Sequence, residues 1–292
     1  VGRLREEERL TQTEAQRLIS FVNNSGPLFM VGSVGAGMFG SAAFGYFILI
    51  SNFSAAIITG ILFKFYKPEK ESLPLKRNKK ILTRAVQAME KARGKDGRPF
   101  GKILADSVFS ALESSMQIAG FIILFSVLLK IFQTTGILDF FTELIVKTGL
   151  IKSEKYAEAA IYGILEVTNG AGKLSELGIN KFSAVICAGL ISFGGLSIFA
   201  QSVAFLSKTD VKAGTYFISK IINGALAAII AFFLYPLFNF TSAAQAEILP
   251  VFAVNPVNQL VVSTLIYAVV LLTILITAAA INITYYIGEK RR

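Results

Sequence analysis

The sequence predicts an all-α fold: a polytopic helical membrane protein with inverted repeats, broken helices and a re-entrant hairpin. Three observations lead there. The 292 residues are 53% hydrophobic and only 16% charged, with a mean hydropathy of +0.60, whereas a soluble domain carries about 25% charged residues. The charges are also gathered, with none in 18–63, 182–207 or 248–288, and roughly 20 apolar residues suffice for one membrane pass. Finally, two of these apolar stretches carry matching interruptions, NNSGP at 23–27 and SFGG at 192–195.

Composition removes several functions. The chain has no histidine and one cysteine, Cys187, so imidazole general bases, Cys/His metal sites and internal disulfides are excluded. No enzyme activity, cofactor or metal is expected. The stretch GAGMFG at 35–40 reads as G-x-G-x-x-G, but no alternating strand precedes it and no acid follows about 20 residues on, as a dinucleotide site requires. No G-x-x-x-x-G-K-[ST] occurs, which argues against an ATP-driven pump. The net charge of +10 resides mainly in one loop between spans, so it speaks of membrane topology and not of nucleic acid.

The elements follow in order. Thr13–Phe39 is read as crossing from inside to outside with an interruption at 23–27, and Ser41–Phe63 as returning. Lys64–Lys102 holds 13 Lys/Arg against four acids, and cationic loops stay on the cytoplasmic side. Ile103–Ile131 then goes out, Phe182–Leu206 comes back and Ala213–Pro236 goes out. Asn239–Pro256, with no Lys or Arg, is placed outside, and Val257–Ile287 returns to the cationic EKRR. Tyr156–Ile179 is too short to cross twice, so it is read as a re-entrant hairpin with its tip at Thr168–Gly172. Irregular backbone at such depth needs protein or a cavity around it.

A weak repeat orders these parts. GPLFMVGSV at 26–34 and the span 45–66 align with GGLSIFAQSV at 194–203 and the span 215–236. The charge rule gives the two copies opposite topology. The predicted organisation is a first repeat over 1–66, a basic cytoplasmic loop over 67–102, a second repeat over 103–236 containing the hairpin 156–179, and an outside loop with a final transmembrane helix over 237–292. Shifting the second copy back by about 170 positions puts the first copy's start roughly 66 residues before Val1. An N-terminal portion with at least one span and the first hairpin's entry arm is therefore expected upstream. On this reading Thr11 and Glu14 form a capping box at the entry to the first broken helix.

The interruptions supply the candidate binding residues. Pro27 cannot donate to a helical ladder and Gly26 tolerates other angles, so a helix should stop near Val22 and restart at Pro27. That leaves a helix N-terminus inside the membrane, an anion-favouring site, beside Asn23, Asn24, Ser25 and Gly26. Its counterpart is Ser192, Gly194 and Gly195, with Ser197 and Gln201 beyond. Glu166, Thr168 and Asn169 sit at the hairpin tip, and an ionisable group at membrane depth is costly and usually functional. Glu113 is read as pairing with Lys220 or serving transport, and Asn52 and Asn223 as interhelical hydrogen bonds. Gly32, Ala36 and Gly40, like Ser33, Gly37 and Ser41, recur every four residues and are read as a close-packing helix face.

The stretches FVNNSGPLFMVGSVGAGMFG, LEVTNGAG and GLISFGGLSIFAQSVAFL resemble membrane proteins with the nucleoside-recognition (gate) domain, and most closely the sporulation integral membrane proteins of the YlbJ type. The resemblance implies a fold akin to concentrative nucleoside transporters, and a role in moving dipicolinate across the outer forespore membrane of spore formers. The function expected is a secondary transporter of a small organic anion, most simply dipicolinate export toward the forespore. The alternatives are a non-transporting gating or scaffold component of a sporulation membrane complex, and a nucleoside transporter. Expected partners are a small-molecule anion and the lipid bilayer of the cell or outer forespore membrane. A coupling Na+ or H+ and a homo-oligomer are left open, and nucleic acid is not expected.

Overall fold

The computed structural model describes residues 1–7, 9–67, 97–149, 151–207, 209–238 and 240. The predicted span Val257–Ile287, most of the basic loop and nearly all of the outside loop lie outside the described residues. Within them the chain is helical, without a strand. No βα unit therefore surrounds GAGMFG.

The short helix α1 (Gly2–Glu6) leads to α2 (Gln12–Val22). The start of α2 is the expected capping box: the Thr11 hydroxyl accepts from the Glu14 amide at 3.1 Å, and the Glu14 carboxylate accepts from the Thr11 amide at 2.9 Å. The helix ends at Val22 and turns resume at Pro27, where the fixed ring angle suits a first helical position. What resumes is a π-helix over Leu28–Met38, 11 residues long. Its wider ladder shows in the Phe39 amide, which donates five residues back to the Val34 carbonyl at 3.0 Å.

That wider turn corrects the packing face read from four-residue spacing. With i→i+5 bonding, residues four apart no longer lie over one another. The close approach is made by Gly35, where a Cβ would lie 2.5 Å from the Gly45 Cα, while Gly40 turns the chain at a φ of +64° with open space around it. After that turn the Ser41 hydroxyl caps α3 (Ala42–Phe63) by accepting from the Phe44 amide.

Helix α4 (Phe100–Thr134) begins after Pro99 and stops before Gly136, which is left-handed at a φ of +74°. It runs longer at both ends than the predicted Ile103–Ile131. Only Leu129 along it is buried, and its length and apolar content suffice for a membrane pass. Glu113 is exposed there, so the reading that pairs it with Lys220 is set aside. Helix α5 (Ile137–Lys147) was not foreseen.

Helices α6 (Glu154–Leu165) and α7 (Val167–Glu176) form a folded-back pair. This pair occupies the segment predicted as a hairpin, but its turn is not at the predicted tip. The break is at Glu166, in an extended conformation, and the expected tip residues 168–172 are helical. They can be helical because Gly170 faces the opposite arm, where a Cβ would lie 2.2 Å from the Gly163 Cα. The glycines of NGAG thus serve close helix contact more than a turn.

Helices α8 (Lys181–Phe193) and α9 (Gly195–Leu206) are the two halves of one broken span, and α10 (Ala213–Leu234) follows. Among the described residues four segments are long and apolar enough to cross a membrane: Ala42–Phe63, Phe100–Thr134, Lys181–Leu206 and Ala213–Leu237. A 22-residue helix such as α3 or α10 is about 33 Å long, close to the hydrocarbon thickness of a bilayer.

Helix α10 packs on α8, α3 and α2, and α3 packs on the π-helix. One core, shared by the π-helix, α3, α7, α8 and α10, includes Met30, Val34, Phe44, Phe47, Val167, Leu174, Cys187 and Ile191. At one end of the bundle, polar side chains tie α1 and α2 to the turn before α10. Arg5 makes a two-pronged pair with Asp210 at 2.8 and 2.7 Å, and Gln16 both donates to and accepts from the Lys212 backbone.

Candidate binding site at two helix breaks

The two breaks meet. At the first, the Ser25 hydroxyl donates to the Ile191 carbonyl at 3.4 Å, so its chain touches the last turn of α8. The Asn223 side chain completes the contact, donating to the Asn24 side-chain oxygen at 3.4 Å and to the Ser192 carbonyl at 3.1 Å. One amide thereby bonds both interruptions.

Depth can be read from the helices that carry these amides. Asn52 lies ten residues into α3, and Asn223 ten residues into α10, each about 15 Å from its helix start. Asn52 donates to the Ser192 hydroxyl at 2.8 Å. Both unbroken helices therefore place a fully buried asparagine at mid-length, and both asparagines reach the second break. The expectation that they make interhelical hydrogen bonds describes them correctly. Their use in joining the breaks was missed, although their matching positions could have revealed it.

The first break is polar and partly open. Asn23, the C-cap of α2, donates to the Ser202 hydroxyl at 2.8 Å and to the Tyr216 hydroxyl at 2.6 Å. Its carbonyl accepts from the Lys220 ammonium at 2.9 Å. Asn24 donates back to the Phe21 carbonyl at 2.6 Å, while Gly26 and Pro27 are exposed. The second break is tighter. Gly194 and Gly195 are both left-handed, at φ of +91° and +75°, a region that costs a residue with a Cβ about 1–2 kcal/mol. A Cβ on Gly195 would lie 3.1 Å from the Gly163 carbonyl and 3.2 Å from the Val167 amide. The hairpin tip rests directly on this hinge.

Glu166 is turned to its own helix. Its carboxylate accepts from the Thr168 amide at 3.0 Å, and from the Asn169 backbone and side-chain amides at 2.8 and 2.9 Å. It is buried, whereas Thr168 and Asn169 are exposed. Here the carboxylate satisfies free N–H groups and complements the helix dipole. Ser197 is buried and Gln201 half-buried on α9; neither makes a side-chain hydrogen bond to the other breaks among the described residues. Asn23, Asn24, Ser25, Gly26, Ser192, Gly194 and Gly195 are thus gathered, with Glu166 behind the hinge.

Among the described residues, the fully buried Asn52 side-chain oxygen has no hydrogen-bond partner. A buried polar atom without a partner costs about 1–3 kcal/mol, and in a native fold it marks strain or a place for a water or ligand. It lies on the amide that holds Ser192, so the second break keeps one acceptor open.

The chain is similar to the sporulation integral membrane protein YlbJ of Bacillus subtilis (strain 168), with 34% identity over 242 residues. The chain is an integral membrane protein. The match covers 80% of it and 59% of the relative, so the chain spans under two thirds of the relative's length. No family model matches the chain, and no solved structure matches it.

Proposed function

We propose that this chain forms the substrate pathway of a secondary transporter for a small organic anion, with dipicolinate in a sporulating cell as the first candidate. One observation carries the reading. Two backbone breaks touch at the mid-length of two membrane-length helices, joined by Asn223, which bonds Asn24 and Ser192. Irregular backbone at membrane depth is tolerated where protein surrounds it or where it lines a cavity, and paired broken helices from inverted repeats are a common plan of secondary transporters.

The order of parts supports a repeat. A broken helix followed by a 22-residue unbroken one occurs twice, as α2, π-helix and α3, and as α8, α9 and α10. The π-helix and α9 begin at the breaks, so each directs free N–H groups and a partial positive charge toward the junction, which favours an anion. The two-glycine hinge under the hairpin tip supplies the element that can move. A membrane role in sporulation is in keeping with the relative's name.

Uptake of labelled dipicolinate and of uridine into proteoliposomes, with and without Na+ and H+ gradients, tests the reading. Saturable dipicolinate uptake is expected, and Asn24→Ala, Ser25→Ala and Ser192→Ala should each lower it about tenfold or more. A parent protein without dipicolinate uptake, or variants that match it, would sink the anion-carrier reading. Uridine uptake alone would mean a nucleoside transporter.

A further inference from the structure

We infer that Lys220 is the counter-ion for a carboxylate of the transported anion, an inference that rests on the anion-carrier reading above. Lys220 is the single charged residue of α10 and is only 4% exposed. Its ammonium donates to the Asn23 carbonyl at 2.9 Å at the first break. Its Cε lies 3.9 Å from where a Gly194 Cβ would stand, at the second. The ammonium therefore stands where the two interruptions come together.

No protein carboxylate answers it among the described residues. Helices α3, α8 and α9, which pack against α10, contain neither Asp nor Glu. Helix α2 contains Glu14, which is occupied with the Thr11 amide at the far end of that helix. Glu166 is held by three N–H groups of its own helix. An ammonium has three protons to donate, and Asn23 takes one of them. A charge at membrane depth is retained when something pairs with it, and the remaining partner is the ligand.

The surroundings set the ligand's chemistry. Asn24, Ser25 and Ser192 offer neutral hydrogen-bonding groups, and the Asn52 oxygen is an unpartnered acceptor. A small molecule bearing at least one carboxylate, with further polar atoms close to it, fits this set. A neutral nucleoside leaves the ammonium unanswered.

Equilibrium binding of labelled dipicolinate to the full-length protein in detergent tests the inference with Lys220→Gln and Lys220→Arg. Gln keeps a donor for the Asn23 carbonyl without the charge, and Arg keeps the charge. Lys220→Gln should lose about 10- to 100-fold in affinity, the worth of a charged hydrogen bond, and Lys220→Arg should stay within about tenfold of the parent. Binding by Lys220→Gln within about twofold of the parent overturns the inference and leaves the carrier reading standing. Equal losses in both variants overturn it too, since position and not charge would then matter. Should Lys220→Gln not fold, Lys220→Arg decides alone: binding retained supports the counter-ion, and binding abolished overturns it. A parent that binds uridine but no dipicolinate refutes the carrier reading itself.

Discussion

The two breaks meet at one point but are built differently. The first spends four residues, Asn23 to Gly26, on irregular backbone, stays partly exposed and satisfies its polar groups through side chains of α9 and α10. The second turns within two buried left-handed glycines and is covered by the α6–α7 hairpin. A helix can thus be interrupted by supplying substitute hydrogen bonds or by removing side chains. The first solution leaves space for added atoms at Gly26 and depends on its donors; the second leaves little space for a Cβ at Gly195.

This contrast is open to attack by substitution. The largest effect is expected for Gly195→Ala, which combines a left-handed φ with a Cβ 3.1 Å from the Gly163 carbonyl. A loss of roughly 2–3 kcal/mol is expected, read as a lower thermal midpoint in detergent. Gly26→Ala is its control, because nothing lies within 4 Å and the φ is not left-handed. It should stay within about 0.5 kcal/mol of the parent. Equal losses at the two positions would erase the distinction between the breaks.

Asn223→Ala comes next. It strips partners from Asn24, Thr59 and the Ser192 carbonyl, and leaving a buried acceptor bare costs about 1–3 kcal/mol. Asn52→Ala loses one bond to Ser192 and also removes the unpartnered oxygen. It should cost clearly less, about 1 kcal/mol or below. A reversed order in thermal unfolding would mean that the open acceptor is filled by the protein.

The smallest effect belongs to the end of the bundle, where Arg5 and Asp210 tie the first segment to the turn before α10. The Arg5 hydrogen bond and charge hold the Asp210 carboxyl below its ordinary value. A carboxyl depressed in the folded state adds stability above its unfolded pKa, and this is lost as pH falls through the folded value. The pair is largely exposed, so at most about 1 kcal/mol is at stake. Asp210→Asn should therefore be slightly less stable than the parent at neutral pH and equal to it in acid. A constant gap across that range would show that the pair's charge does not matter.

Much of the fold was legible from the chain. Apolar stretches marked the membrane-length helices, Pro27 and the Gly194–Gly195 pair marked where helices stop, and Thr11 with Glu14 marked where α2 starts. The candidate site was legible only as separate pieces. Asn24 and Ser192 stood out because they sit beside helix breakers. Lys220 entered only as an option for pairing with Glu113, because a lysine seven residues into its helix can equally reach the membrane surface along its stem.

What can be read locally is whatever the backbone imposes within a few residues: φ restrictions, the missing amide of proline, a hydroxyl reaching its own N3 amide. Partner choice is not of that kind. The Lys220 ammonium meets the carbonyl of Asn23, 197 positions away, because packing of α10 on α2 brought them together. The close backbone approaches of Gly35 to Gly45 and of Gly170 to Gly163 are likewise contacts between separate elements. Residue types limit which interactions can form, and only the folded arrangement selects among them.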